Sequence, residues 1–392
     1  MKTVAYVGPF SFPVGGPWAS RVLGNALSLR DAGYNVIIGS GQMGGAEIPE
    51  SVENIKIVSL NERVAENFPQ IAKHIAYIGM GQKTINWLNL LATKPVAIIL
   101  YAGYTPYLLR LIPWCRARGI PMAFDAVEWY SPERVPGGRF GPYRVSFEWA
   151  MRRGCVKCRN IISISSYIHE FYKQKGCNTI QVPPTLDTKR IANMHKRVRN
   201  NILRIGYTGS PGRKDLLNIA LKAFLKVRES GGEIEFFIAG LDSEELISFP
   251  CFEEFGIKTM PSGIFALGRL SHEDALRIVS ECDFTVLLRP YIIDTKAGFP
   301  TKVVESLAVG TPVICNLTSD LGDHIFHGKT GLICREPNVE ACEKAFRDAL
   351  KLTNGQLRFM REQSAYHAKQ TFDYRNYIPS FANFVSKMKF IK

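Results

Sequence analysis

Apolar residues follow two rhythms along the chain. Short β-branched runs alternate with longer stretches in which apolar positions return every three or four residues, the marks of strand and helix. The run "TVAYVG" (3–8) leads through a glycine-rich loop to a helical pattern over about 18–31. Gly33 ends that pattern before the strand "NVIIGS" (35–40). Further strands are predicted at "IKIVSL" (55–60), "VAIILY" (96–101), "PMAFDA" (121–126) and "NIISISS" (160–166), with helices over roughly 80–93, 105–118, 142–157 and 167–175. Strands that read as unbroken apolar runs belong to a parallel sheet covered on both faces.

The stretch "VPPTLDTKRIANMHKRVRNN" (182–201) breaks the alternation with two prolines and a polar, basic run, and reads as a linker. The pattern then restarts with strands at 203–209, 234–240, 264–268, 284–288, 311–316 and 330–334, and helices over about 214–229, 271–281 and 301–309. The expected organisation is an N-terminal domain (1–182), a linker (183–202), a second domain (203–370) and a terminal helix (371–392). Two open α/β domains bind ligands at the carboxyl ends of their strands, so the cleft between them is the expected site. In the tail, Phe381, Phe384 and Met388 share one stripe, fit either to pack back on a domain or to face lipid.

Composition narrows the class. With 392 residues, 46% apolar and 21% charged, the chain can build two cores. Its longest apolar runs fall far short of a membrane span, and proline and glycine interrupt the N-terminal run before a signal segment forms. A cytoplasmic protein is expected, with the inner membrane face as a second location. Nine scattered cysteines suggest reduced thiols; only Cys155 and Cys158 have a zinc-like spacing, without a second pair. The balance of 49 basic and 35 acidic residues gives +14, which favours anionic partners. Arg134, Arg139, Arg144, Arg152, Arg153, Lys157 and Arg159 crowd one region among Trp129, Tyr130, Tyr143 and Trp149. That region is either a solvated face or a bilayer-edge surface.

Three loops are candidate chemistry. In "VGPFSFPVGGPW" (7–18), Gly15 and Gly16 let backbone amides approach a ligand ahead of a helix N-terminus. The loop is not G-x-G-x-x-G, and no acidic residue ends the second strand, which disfavours a nicotinamide site. In "GYTGSPGRKD" (206–215), Arg213 and Lys214 stand at the expected start of a helix, where cations are unfavourable unless an anion joins them. In "GFPTKVVESLAVGTPVI" (298–314), Val303, Val304, Leu307 and Ala308 form a buried helical face, and Lys302 and Glu305 share the opposite edge. The last two are either a surface ion pair of little consequence or ligands, Glu305 accepting from vicinal ribose hydroxyls and Lys302 meeting phosphate.

The order of these motifs resembles the retaining glycosyltransferases of family 4. The resemblance runs over nearly the whole chain, through "VGGPWASRVLGNALSLRDAGYNVIIGS", "IISISSYIHEFYKQKG", "VPPTLD" with Asp187 at the usual acidic position, "FALGRLSHEDALRIVSECDFTVLLRP", "GFPTKVVESLAVGTPVI", "TGLIC" and "FDY". It implies the α/β GT-B fold, two Rossmann-like doubly wound domains facing a central cleft, the first (1–182) on the acceptor side and the second (203–370) binding the nucleotide-sugar. It further implies sugar transfer from a nucleotide diphosphate, more expected to be UDP than GDP, with no cofactor and no metal. The donor would meet Gly15, Gly16, Gly209, Ser210, Arg213, Lys214, Arg269, Gly298, Phe299, Thr301, Lys302 and Glu305. Glu128, Arg213 and Lys214 would be the catalytic candidates, and Arg21 and Trp129 would lie on the acceptor side. Two departures stand out. Ala297 occupies the position of the family's first glutamate, with Asp294 and Lys296 as nearby substitutes, and Ser210 replaces a common arginine.

The function expected from all this is a metal-independent, retaining hexosyltransferase acting on a lipid-linked or saccharide acceptor in surface polysaccharide or glycoconjugate synthesis. The alternatives are a nucleotide-sugar epimerase or hydrolase of the same fold, for which Glu128 would be essential, and a basic membrane-surface binder. No nucleic-acid-binding module is recognisable, so nucleic acid is not an expected partner.

Overall fold

The computed structural model describes the chain apart from residues 44–47, 64–69, 103, 132–137, 139–140, 192–193, 195–199, 213 and 392. It divides into two units. The first comprises Met1–Leu186, Ala297–Phe299 and Tyr374–Lys392, and the second Asp187–Lys296 and Pro300–Asp373.

The first unit is built on eight strands: β1 (Thr3–Gly8), β2 (Asn35–Ser40), β3 (Ser51–Val52), β4 (Ile55–Ser59), β5 (Ala97–Tyr101), β6 (Met122–Ala126), β7 (Asn160–Ser163) and β8 (Asn178–Gln181). Their order is β3-β4-β2-β1-β5-β6-β7-β8, parallel except for the short β3–β4 pair. Strands β6 and β7 are buried at every position, as unbroken apolar runs in a covered parallel sheet require. The edge strands β3 and β8 carry no such run: "NTIQ" is polar and only half buried, which leaves no period to read.

Helix Pro17–Asp31 packs beside β1 and β2, and the terminal helix Ile378–Ser386 packs against it. Phe381, Phe384 and Met388 of the tail lie in the apolar core with Val22, Ala26 and Leu29, so that stripe faces protein and not lipid. Each such side chain removed from water stabilises the fold by roughly 1.5–3 kcal/mol. Ser28 Oγ ties the first helix to the turn that precedes the terminal helix by donating to the Tyr374 carbonyl at 2.8 Å.

The predicted helix over 142–157 is interrupted. Helix Pro142–Trp149 passes into a wide π turn at Ala150–Gly154 before a last turn, Cys155–Cys158. Gly154, in that turn, lets the backbone pack closely on Leu108, where a side chain would meet Leu108 at 2.9 Å. Cys155 and Cys158 are both fully buried, and burial pushes both thiols up, the behaviour of core residues. No cluster of three or more metal-ligating side chains occurs among the described residues. The start of the proline-rich linker is also internal: Val182 and Thr185 are buried, and the Val182 amide donates to Ser163 O at 2.8 Å.

The second unit holds β9 (Leu203–Thr208), β10 (Ile234–Ala239), β11 (Ile264–Ala266), β12 (Phe284–Leu287), β13 (Val313–Cys315) and β14 (Gly331–Ile333). All pairs are parallel, in the order β11-β10-β9-β12-β13-β14. The order reverses between β9 and β12, and the carboxyl ends of strands at such a reversal are where doubly wound sheets bind ligands. Among the described residues no helix is long and apolar enough to cross a membrane.

Candidate functional site

The reversal point of the second unit carries a cluster of charges. Tyr207 lies near the end of β9, Arg289 two residues beyond β12, Lys302 in the first turn of helix Thr301–Ala308, and Asp215 in the loop before helix Leu217–Glu229. Asp215 is the hub. Its Oδ1 accepts from Arg289 Nε at 2.8 Å, and its Oδ2 accepts from Lys302 Nζ at 2.6 Å and Tyr207 OH at 2.8 Å. Lys302 Nζ also donates to the Tyr207 hydroxyl at 2.7 Å and stands 4.1 Å from its ring centroid.

The supports around the cluster are fixed by the sequence. Ser306, on the buried face of the Lys302 helix, meets Thr285 of β12 at 2.6 Å and donates to Thr311 O at 2.7 Å. Asn316 clamps the Arg289 backbone with two bonds of 2.8 Å. Gly209 has φ +88°, a conformation only glycine takes without strain, and a side chain there would come within 3.1 Å of Lys302 Cε. Gly240, after β10, packs its backbone directly on that of Gly209.

Burial pushes the Asp215 carboxyl up, but Arg289, Lys302 and the hydrogen bonds from Lys302 and Tyr207 outweigh it and hold the group below its ordinary value. Burial moves the Lys302 ammonium the other way, below its ordinary value, against the pull of Asp215. Two cations face one anion, so the cluster retains a positive charge beside a loop of bare backbone. Such an arrangement is chemically suited to an anion.

Lys302 and Glu305 are not partners of each other. Glu305 accepts from His272 Nε2 at 2.9 Å, while Lys302 turns to Asp215. Thr301 and Lys214 are half-buried, and Ser210 and Arg269 are exposed. Arg213 lies outside the described residues. The helix expected from 214 begins at Leu217, because Asp215 turns its carboxylate inward and its amide bonds back to Pro211 O, so Lys214 precedes the helix. Gly298 and Phe299 are buried and belong with the first unit, where Ser165 Oγ donates to the Ala297 carbonyl at 2.6 Å. Of the two substitutes for the missing glutamate, Asp294 is buried and Lys296 exposed.

Sequence reasoning missed Tyr207, Asp215, Arg289 and His272. Asp215 stands in the same "GYTGSPGRKD" stretch as Arg213 and Lys214, and a lone carboxylate beside two cations was the available signal. Tyr207 and Arg289 sit in or beside apolar strands, where no pattern separates a ligand-facing polar residue from a snorkelling one.

In the first unit, Gly16 caps helix Pro17–Asp31 without a side-chain bond, and the Trp18 indole lies against Gly15 and Gly16 so closely that a side chain at either would collide with it. Arg21 and Trp129 are both buried. Arg21 is 3% exposed: its guanidinium grips Asp125 at 2.6 Å and donates to Val182 O at 2.9 Å, with Tyr6 and Asn25 closing the network. Trp129 is a core aromatic, its Nε1 donating to Glu148 at 3.1 Å under the Arg152 guanidinium.

The basic region is partly neutralised from within, since Arg144 and Arg152 both pair with Glu148. Arg134 and Arg139 lie outside the described residues. Glu128 follows the carboxyl end of β6. Burial pushes the Tyr101, Tyr104 and Tyr130 hydroxyls up, and the Glu128 charge adds to this directly after burial at Tyr130, behind Asp125 at Tyr101 and behind Tyr77 at Tyr104.

Residues 203–369 match the family described as glycosyl transferases group 1, so the matched segment contains the whole Asp215 cluster. No curated protein matches the sequence. The chain is similar in structure to sucrose-phosphate synthase from Thermosynechococcus elongatus, with 12% identity, a TM-score of 0.70, and 99% of this chain and 98% of that one covered. It is also similar to the trehalose-6-phosphate protein of E. coli bound with UDP-2-fluoro glucose, at 12% identity and TM-score 0.71, covering 99% and 100%. A third is Anabaena HepE in complex with UDP and glucose, at 13% identity and TM-score 0.67, covering 98% and 100%. The chain has the α/β GT-B fold with parallel, Rossmann-like sheets.

Proposed function

We propose that this chain is a glycosyltransferase that moves a hexosyl group from a UDP-sugar to a saccharide or lipid-linked acceptor. The carrying observation is the Asp215, Arg289 and Lys302 cluster at the sheet reversal, inside the segment that matches glycosyl transferases group 1. The uracil base is supported by two similar structures, whose names record UDP-2-fluoro glucose and UDP with glucose.

In this reading Lys302, Lys214 and Arg213 meet the diphosphate, and Glu305 accepts from the ribose hydroxyls. Positive charge set where the diphosphate leaves favours the transition state over the ground state, because negative charge grows on the leaving oxygen as the glycosidic bond breaks. The proposed course is retaining and metal-free: acceptor and leaving group share one face of the sugar, the leaving phosphate oxygen takes the acceptor proton, and the protein supplies no base. Glu128 then orients sugar or acceptor. A lipid-linked acceptor at the inner membrane face, in surface glycan synthesis, draws support from the +14 charge and from exposed Ile75, Ile78, Leu109 and Val145 in the first unit.

Calorimetric titration with UDP and GDP tests the donor. UDP is expected to bind more tightly, and Glu305→Ala to weaken it roughly tenfold to a hundredfold, the loss of about 1.5–3 kcal/mol from hydrogen bonds to a charged acceptor. Absence of binding by every nucleoside diphosphate would sink the proposal.

A further inference from the structure

His272 is an unexpected residue at its position. It opens helix His272–Glu281 directly after the Ser271 cap, where a cation is disfavoured by the helix dipole. Its ring nevertheless gives Nε2 to Glu305 Oε1 at 2.9 Å. The imidazole is 62% exposed and the carboxylate 18%, so an accessible ring occupies a carboxylate oxygen that a ribose hydroxyl would also need. A ring N–H at 2.9 Å offers the carboxylate the same donor that a sugar hydroxyl would bring.

We infer that His272 competes with the donor ribose for the Glu305 carboxylate, so that acid closes the donor site and alkali opens it. The inference rests on the donor reading above and names the regulation of that site. The charged groups facing the imidazole are Glu305 and, from helix Thr188–Ile191, Arg190; Lys302 lies beside Glu305. On its own helix Glu273 and Asp274 follow it, Asp274 being paired with Arg277 at 2.8 Å. The hydrogen bond to Glu305 raises the His272 pKa above its ordinary 6.5, outweighing burial and Arg190. Protonation therefore tightens the His272–Glu305 contact, and a ribose that displaces the ring favours loss of that proton.

The test is calorimetric titration of UDP into the wild type and His272→Ala between pH 6 and 9. Wild-type affinity is expected to rise with pH by about tenfold for each unit by which UDP lowers the His272 pKa. The variant should lack this added rise and keep only the pH dependence that titration of the phosphate gives both proteins. A second measurement follows the His272 ring by NMR, where UDP should lower its titration midpoint. Parallel pH profiles in the two proteins, equal weakening of the variant at every pH, or an unmoved NMR midpoint would each overturn the inference while leaving the donor site standing. A wild type that binds UDP at no pH would remove the donor reading and this inference together.

Discussion

Asp215 is 4% exposed between Arg289 at 11% and Lys302 at 24%, which makes it the residue on which the cluster turns. Removing a buried partner leaves its cations uncompensated, at a typical cost of about 3–5 kcal/mol. The contribution carries a sign in pH. The folded carboxyl is held below its ordinary 3.8, so its stabilisation is complete above the unfolded-state value and lost as pH falls through the lower folded one. Asp215→Asn is therefore expected to cost about 3 kcal/mol in urea unfolding at pH 7, with the difference from wild type shrinking below about pH 4. An unchanged urea midpoint at pH 7 would show that Lys302 and Arg289 find other partners.

Elements were legible where a period was long and one face was buried. Helix Thr105–Arg118 occupies the predicted span, and β1 and β2 differ from expectation by no more than a residue, because burial of an apolar run is a local property. Helix Leu217–Glu229 started three residues late, because a tertiary ion pair and not helix propensity decides where Asp215 points.

The same difference runs through the site. Lys302 and Glu305 were visible as polar exceptions on an apolar helix, whereas Tyr207 and Arg289 were not, since only the order of strands brings β9 and β12 together. The burial of Trp129 and Arg21 was not legible, because sequence alone cannot tell an exposed aromatic or arginine from one paired with a carboxylate inside the fold. The tail helix is the converse case, its stripe readable and its partner not. Phe381→Ala leaves a void between that helix and helix Pro17–Asp31, and is expected to cost about 3–5 kcal/mol by denaturant unfolding. A loss under about 1 kcal/mol would mean that the tail contributes little to the first core.

Across the whole molecule the same polar device occurs in both sheets, in different states of closure. In the first unit Arg21, Asp125 and Tyr6 pair beside β1 and β6, at 3%, 0% and 0% exposure. In the second, Tyr207 and Asp215 are buried, but Lys302 reaches the surface beside Gly209 and the helix N-terminus. A sealed network stiffens its unit; an open one has charge to offer, and a ligand that completes it stabilises the unit that holds it.

Saturating UDP at about a hundred times its dissociation constant should add about 2.7 kcal/mol to that unit. Hydrogen exchange with and without UDP reads where the gain falls. Slowing is expected in peptides covering 203–217, 284–290 and 301–308, while the buried strands β5, β6 and β7 should keep their rates. Slowing confined to the first unit would place the donor away from the Asp215 cluster and overturn the assignment of Lys302 and Glu305.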